Sequence, residues 1–199
     1  FEQFDSDIRC VVRAMDNIVD RTTYPLKEQK LEALSKRRMG LGVTGLANAG
    51  EMLGHSYASN NFMNFMEDVL CELRNVAYDA SAELAKEKGP FPLWSHEKYG
   101  QSRFIQRLPK EIQDKIAING IRNSHLTSIA PTGTISLTAD NVSGGIEPPF
   151  ALFYDRTITN FDSKEVVRVE DYAYSLGVKG RTANEISVDD HLRVLILAS

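Results

Sequence analysis

The groups most able to hold an anion lie in one stretch, Thr127-Ser128-Ile129-Ala130-Pro131-Thr132-Gly133-Thr134-Ile135-Ser136. A short apolar strand, Leu126 to Ala130, is expected to run into a loop with hydroxyls at Thr132, Thr134 and Ser136 and a glycine at position 133. Gly133 can present its N–H with no side chain in the way. Free backbone donors combined with hydroxyls make an anion-binding concavity. A helix starting near Thr134 would add its dipole to that field. The competing reading is a Ser/Thr-rich turn whose hydroxyls satisfy its own backbone.

Other chemistry-bearing residues point less clearly to a site. Gly40-Leu41-Gly42-Val43-Thr44-Gly45 has the string GxGxxG. A dinucleotide fingerprint of this form should follow a buried parallel strand and open a helix. Here Ser35-Lys36-Arg37-Arg38-Met39 precedes it, and four polar residues in five do not make a buried strand. The better reading is a tightly packed strand-to-helix turn whose glycines let backbone segments approach closely. The histidines, His55, His96, His125 and His191, form no i, i+4 pair, and neither cysteine lies near one in sequence, so a metal site is not expected. Cys10 and Cys71 form no CxxC and have no local cluster of positive charge, which favours structural thiols.

Composition narrows the classes further. Of 199 residues, 23 are Lys or Arg and 27 are Asp or Glu, a formal charge of −4 that argues against nucleic-acid binding through bulk positive charge. No apolar run approaches the length needed to cross a bilayer. The acidic start, Phe1-Glu2-Gln3-Phe4-Asp5, does not resemble a signal peptide. Two thiols far apart in sequence fit a reducing compartment, and the cytoplasm is expected. The chain starts at Phe1 rather than Met and stops within Leu192-Arg193-Val194-Leu195-Ile196-Leu197, so both ends look like cuts through something larger.

The elements that would position these residues are mostly helical. Phe4, Ile8, Val11, Val12, Met15, Ile18 and Val19 repeat at three- and four-residue steps and predict an amphipathic helix over residues 4–20. A charged helix is expected from Leu26 to Arg38. The strongest periodicity, through Phe62, Met66, Val69, Leu73, Val76, Ala80 and Leu84, predicts a helix over residues 60–88 ended by Gly89-Pro90. Residues 91–124 read as loop with one short helix near Lys110 to Ile118. After the Gly-rich Ser143-Gly144-Gly145 comes a β-like stretch, about Phe150 to Thr159. Two more helices are predicted, about Lys164 to Leu176 with Asp162 or Ser163 as cap, and Val188 onward with Ser187 as cap. The expected class is α/β, one domain over residues 1–199.

Four ordered segments resemble the large chain of ribonucleotide reductase. They are Arg13-Ala14-Met15-Asp16-Asn17-Ile18-Val19-Asp20, Arg37-Arg38-Met39-Gly40-Leu41-Gly42-Val43, Ala82 to Pro92, and Arg122 to Ser136 continued by Gly145-Ile146-Glu147-Pro148. The resemblance covers nearly the whole chain. It implies the C-terminal portion of a ten-stranded α/β barrel with the active site inside. In that family a finger-loop cysteine becomes a thiyl radical that abstracts the ribose 3′ hydrogen. A cysteine pair supplies electrons and the 2′-hydroxyl leaves as water.

The resemblance makes Pro131 to Ile135 the loop that holds substrate phosphates. Thr132 and Thr134 would donate from side chains, Gly133 and Ile135 from backbone N–H groups, with Ser136 as a further member. The finger-loop cysteine motif, with its asparagine and glutamate, would precede Phe1 and is not in this sequence, nor is the family's C-terminal tail. No catalytic residue is therefore assigned, and none is assigned to Cys10. The chain reads as the second part of a split reductase, or a piece cut from one, inactive alone. Ile-Ala-Pro-Thr-Gly-Thr-Ile-Ser with Leu-Thr-Ala-Asp, and Phe153-Tyr154-Asp155-Arg156-Thr157-Ile158, most resemble the adenosylcobalamin-dependent class. The implied partners are a ribonucleoside di- or triphosphate, the N-terminal reductase part bearing the radical cysteine, and a dithiol reductant. Two alternatives are the same reaction driven by a diiron radical subunit, and a non-catalytic phosphate-binding or assembly module.

Overall fold

A computed structural model describes residues 2–159 and 164–199. They form helices α1 (Glu2–Arg21), α2 (Lys27–Lys36), α3 (Leu46–Met52), α4 (Asn60–Lys88), α5 (Lys110–Asn119) and α6 (Gly133–Thr138). Strands β1 (Phe153–Thr159) and β2 (Lys164–Glu170) follow, then α7 (Tyr172–Ser175) and α8 (Val188–Ala198). Helices with one two-stranded antiparallel sheet give a mixed α and β content. The chain divides into two compact units: the chain to Leu41 with Cys71–Ser128, and Gly42–Leu70 with Ile129–Ser199.

In the first unit α1 buries Ile8 and Val12 on the predicted stripe, and one turn further on it buries Asp16. A carboxylate with no exposure must be paired. Arg37, at the left-handed C-cap of α2, supplies the pair, and the Asn123 side-chain amide donates to the same carboxylate at 3.0 Å. The second half of α4 buries Leu73, Val76, Ala77, Ala80 and Leu84. Gly89, at φ +82°, ends α4 in the conformation that favours glycine. Part of the expected loop is ordered as a single π-helical turn, His96–Gly100, and a 3₁₀ turn, Ile105–Arg107. The strand expected at Leu126 to Ala130 is reduced to one parallel bridge, Leu41 to Thr127. The Leu41 N–H donates to the Leu126 carbonyl at 2.7 Å, and the Ser128 N–H donates to the Leu41 carbonyl at 2.9 Å. A Cβ on Gly40 would lie 2.5 Å from the Ser128 hydroxyl, so this glycine makes room for that side chain.

The second unit packs around Leu46, Ala47, Tyr57, Phe62, Met66, Ile146, Ile186 and Val194. Phe62 and Met66 belong to the first half of α4, so the long periodic helix contributes core residues to both units. Ser187 caps α8 as predicted, accepting from the Asp190 N–H at 3.1 Å.

The helix expected from Lys164 to Leu176 is not formed. Residues 164–170 are strand β2, paired with β1 in a register that runs from Phe153 opposite Glu170 to Thr159 opposite Lys164. The reason lies in Lys-Glu-Val-Val-Arg-Val-Glu, where three β-branched valines fall within four residues and favour extended backbone. Cross-strand partners add to this: Asp155 faces Arg168, and the Arg168 guanidinium lies 3.9 Å above the Phe153 ring. Only the four residues of α7 remain helical. Their cap is Asp171, which accepts from the Tyr174 N–H at 3.2 Å. The caps expected at Asp162 or Ser163 lie outside the described residues. Among the described residues, no helix is long and apolar enough to cross a membrane.

Candidate functional site

The expected anion loop lies entirely within the second unit. Its centre is Thr132, with φ 46° and ψ 18°. A left-handed conformation is a genuine outlier for a β-branched residue and costs about 1–3 kcal/mol. Side-chain bonds hold it there. The Gly145 N–H donates to Thr132 Oγ1 at 2.8 Å. Thr132 Oγ1 also lies 3.2 Å from Thr44 Oγ1 and 3.2 Å from Ser136 Oγ.

Thr44 is the hub of this cluster. Its hydroxyl donates to the Ser143 carbonyl at 3.0 Å and sits 2.9 Å from Ser136 Oγ. A threonine hydroxyl has one proton and two lone pairs. With the proton given to Ser143, Thr44 Oγ1 can only accept from Thr132 and Ser136. The Ser143 backbone is fixed in turn, because its N–H donates to Asn48 Oδ1 at 2.6 Å. The Asn48 amide then donates to both carboxylate oxygens of Asp171, at 3.0 and 2.9 Å.

Ser143-Gly144-Gly145 packs directly on the loop. A Cβ on Gly144 would lie 2.8 Å from the Pro131 carbonyl, and one on Gly145 would lie 2.6 Å from the Ala130 carbonyl. Gly145 also has φ +45°, so both its backbone conformation and its surroundings favour glycine.

The six expected site residues therefore fall into two groups. Thr132 is half-buried and Ser136 is 5% exposed, and both hydroxyls are tied inward. Pro131, Gly133, Thr134 and Ile135 are at the surface, and the side of Gly133 that a Cβ would occupy faces open space. Helix α6 begins at Gly133, where a helix was expected near Thr134. Thr132 stands at its N-cap position but makes no side-chain cap hydrogen bond. The N–H groups of Gly133, Thr134 and Ile135 precede the first intrahelical bond, made by Ser136 N–H to the Thr132 carbonyl at 2.7 Å. The result is a short surface turn with donors at hand and its neighbouring hydroxyls locked behind it.

Sequence reasoning missed Thr44, which was read only as part of a packing turn. The available signal was weak: a hydroxyl between apolar and glycine residues, distant in sequence from its partners. It also missed Glu51, a buried carboxylate on α3. Glu51 Oε1 accepts from the Arg181 N–H at 2.7 Å, and Oε2 has no hydrogen-bond partner. Burial holds its pKa above the ordinary carboxylate value, against the lowering effect of that N–H.

The remaining flagged side chains have ordinary neighbours. His125 Nδ1 lies 3.0 Å from Ser124 Oγ, and His96 Nε2 lies 3.2 Å from the Gln101 amide nitrogen. The His55 and His191 rings lie tilted against Phe65 and Tyr57, with centroids 6.2 and 6.5 Å apart. Cys10 is exposed on α1 and Cys71 half-buried on α4, both as free thiols. Among the described residues, no group of three or more His, Cys, Asp or Glu could hold a metal ion.

Comparison with known proteins adds independent findings. The family model described as ribonucleotide reductase, barrel domain, matches residues 1–189. The chain is 36% identical over 155 residues to the vitamin B12-dependent ribonucleoside-diphosphate reductase of Mycobacterium tuberculosis (strain ATCC 25618 / H37Rv), covering 78% of this chain and 20% of that protein. It is 33% identical over 160 residues to the protein of the same name from Thermoplasma acidophilum, covering 80% of this chain and 19% of that one. It is 29% identical over 147 residues to the ribonucleoside-diphosphate reductase subunit alpha of Treponema pallidum (strain Nichols), covering 71% of this chain and 17% of that one. The chain thus spans about a fifth of the length of the curated relatives it matches.

Proposed function

This chain belongs to the ribonucleotide reductase barrel-domain family, and from that premise we propose that it is part of an enzyme converting ribonucleotides to 2′-deoxyribonucleotides. Its own task is to hold the substrate's phosphates with the loop of Pro131, Thr132, Gly133, Thr134, Ile135 and Ser136, in which the Thr132 and Ser136 hydroxyls are tied inward and support the turn. The radical cysteine comes from the N-terminal reductase part, and a dithiol supplies the reducing electrons. Residues 1–199 form the C-terminal portion of the ten-stranded barrel, and the assembled enzyme works in the cytoplasm.

The observation that carries the phosphate assignment is the surface turn at Gly133 to Ile135, whose N-cap hydroxyl is turned away from it. Backbone N–H groups and the Thr134 hydroxyl suit the oxygens of a di- or triphosphate. Phosphate contacts fix where the ribose lies and leave the chemistry to groups elsewhere in the barrel. This division of labour agrees with a chain to which no catalytic residue is assigned.

The radical source we infer is adenosylcobalamin, which supplies a carbon-centred radical when bound. Support comes from similarity to relatives named vitamin B12-dependent. The open groove of about 660 Å³ beside the hairpin is lined by Leu137, Ile158 and Val169 together with Arg156, Arg168 and Glu170, a mixed polar and apolar surface. The cofactor is held mainly by other parts of the reductase.

The test is reconstitution. This chain, the N-terminal part, a ribonucleotide, adenosylcobalamin and a dithiol should together yield deoxyribonucleotide, and this chain alone should not. No product from the complete mixture would count against the reading. A second reading, favoured by similarity to proteins named subunit alpha, draws the radical from a diiron partner subunit. Activity that does not depend on adenosylcobalamin would select it. A non-catalytic phosphate-binding module would leave turnover by the complex unchanged when Thr132 and Thr134 are both replaced by Ala.

A further inference from the structure

We propose that Thr44 is a positioning residue for the phosphate loop, drawing the Thr132 hydroxyl inward so that it does not cap the turn at Gly133 to Ile135. The inference rests on the phosphate reading of that loop given above.

A threonine at an N-cap ordinarily adopts extended backbone and accepts from the second or third N–H of its helix. Thr132 does neither. Its backbone is left-handed and its side chain makes no cap hydrogen bond. The hydroxyl is occupied instead by Thr44, Ser136 and the Gly145 N–H, at 3.2, 3.2 and 2.8 Å. Thr44 can hold it there because the Thr44 proton is committed to the Ser143 carbonyl, so its oxygen presents only lone pairs to Thr132 and Ser136.

Proton counting gives the consequence. Ser136 can donate to Thr44, leaving the Thr132 proton for Thr44 or Ser136, while Thr132's own oxygen accepts from Gly145. Without the Thr44 oxygen one of the two inward acceptors is lost, Ser136 at 3.2 Å alone remains, and the strained left-handed backbone loses one of its restraints. Thr132 can then relax to extended backbone and cap the turn, occupying donors that would otherwise meet phosphate. Thr44 would thus act on substrate binding without touching substrate.

The experiment uses the assembled reductase with a ribonucleoside diphosphate as substrate. Thr44→Val removes the hydroxyl and keeps the shape; Thr44→Ser keeps the hydroxyl. KM should rise about tenfold in Thr44→Val, the size of one ordinary hydrogen bond, with kcat unchanged, and Thr44→Ser should restore it. A purely structural role would lower kcat and the amount of folded enzyme without this split. Thr134→Ala is the control for the loop itself. A raised KM in Thr134→Ala with no change in Thr44→Val overturns the role of Thr44 and leaves the phosphate loop standing. No change in either overturns both. Where valine prevents folding, Thr44→Cys keeps the shape with a much weaker hydrogen bond, and an unchanged KM there overturns the assignment.

Discussion

Arg37 and Asp16 form an ion pair of 2.8 Å with 4% and 0% of their side chains exposed. Arg37 reaches it from a left-handed C-cap, φ 49°, and its guanidinium also donates to both carboxylate oxygens of Asp20, at 2.7 and 2.9 Å. The other oxygen of Asp16 meets Arg122 at 3.3 Å. This buried network ties α1, the end of α2 and residues 122–123 within the first unit.

Removing Arg37 leaves the buried Asp16 carboxylate only the longer ion-pair contacts with Arg122 at 3.3 Å and Lys88 at 3.6 Å. Arg37→Met should therefore destabilise the chain by about 3–5 kcal/mol. A shifted urea midpoint with unchanged slope would show it. A change of less than about 1 kcal/mol would mean that Arg122 and Lys88 compensate Asp16 without Arg37.

The pKa of Asp79 is held below the ordinary carboxylate value. Burial alone would raise it, but hydrogen bonds from Lys115 at 2.6 Å and Arg9 at 2.8 Å outweigh burial. A depressed folded pKa contributes stability above the unfolded value of 3.8, and that contribution is lost as pH falls through the folded value. Asp79→Asn should be less stable than the parent at neutral pH, with the gap closing in acid. Denaturation measured across that range tests it.

Glu51 has the opposite sign. Burial raises its pKa, and the facing groups are Arg181, Asp171 and Glu185, with Tyr57 packed near. The folded state binds this proton more tightly than the unfolded chain, so stability falls as pH rises from the ordinary value of 4.5 through the folded one. Glu51→Gln should gain on the parent as pH rises over that interval. A stability difference independent of pH would show that folding does not raise the Glu51 pKa.

Thr132 and Thr134 should respond differently to alanine. Thr134 is exposed and Thr132 is bonded to Thr44, Ser136 and Gly145. Thr134→Ala should weaken substrate binding by about 1–3 kcal/mol with little loss of stability. Thr132→Ala should lower both. Thermal melts beside substrate titrations of the assembled enzyme separate the two.

Gly145→Ala should disturb the same loop from outside. Its left-handed backbone costs an L-residue about 1–2 kcal/mol, and the new Cβ would lie 2.6 Å from the Ala130 carbonyl. A lower melting temperature with a raised KM is the expected outcome.

Local periodicity made most of the helices legible. Phe62, Met66, Leu73 and Val76 repeat at helical spacing, and Gly89-Pro90 marks the stop, so α4 could be read to its last residue. The Gly40 turn was legible as a tightly packed segment, where the room left by glycine is taken by the Ser128 side chain. Family resemblance rested on ordered motifs and was carried by the chain alone. Strand β2 was not legible as a strand: a seven-residue segment with valines and charges fits either period, and pairing with β1 decides between them. The apolar run from Leu126 reads as a strand but forms a single bridge to Leu41 in place of a ladder, because among the described residues no second strand lies beside it to pair with. The loop's residue types were visible in the sequence, but the direction of its hydroxyls was not. Thr44 lies 88 residues from Thr132 and 92 from Ser136. Only the folded chain brings the three together, because a hydrogen bond acts over about 3 Å in space whatever the separation along the backbone.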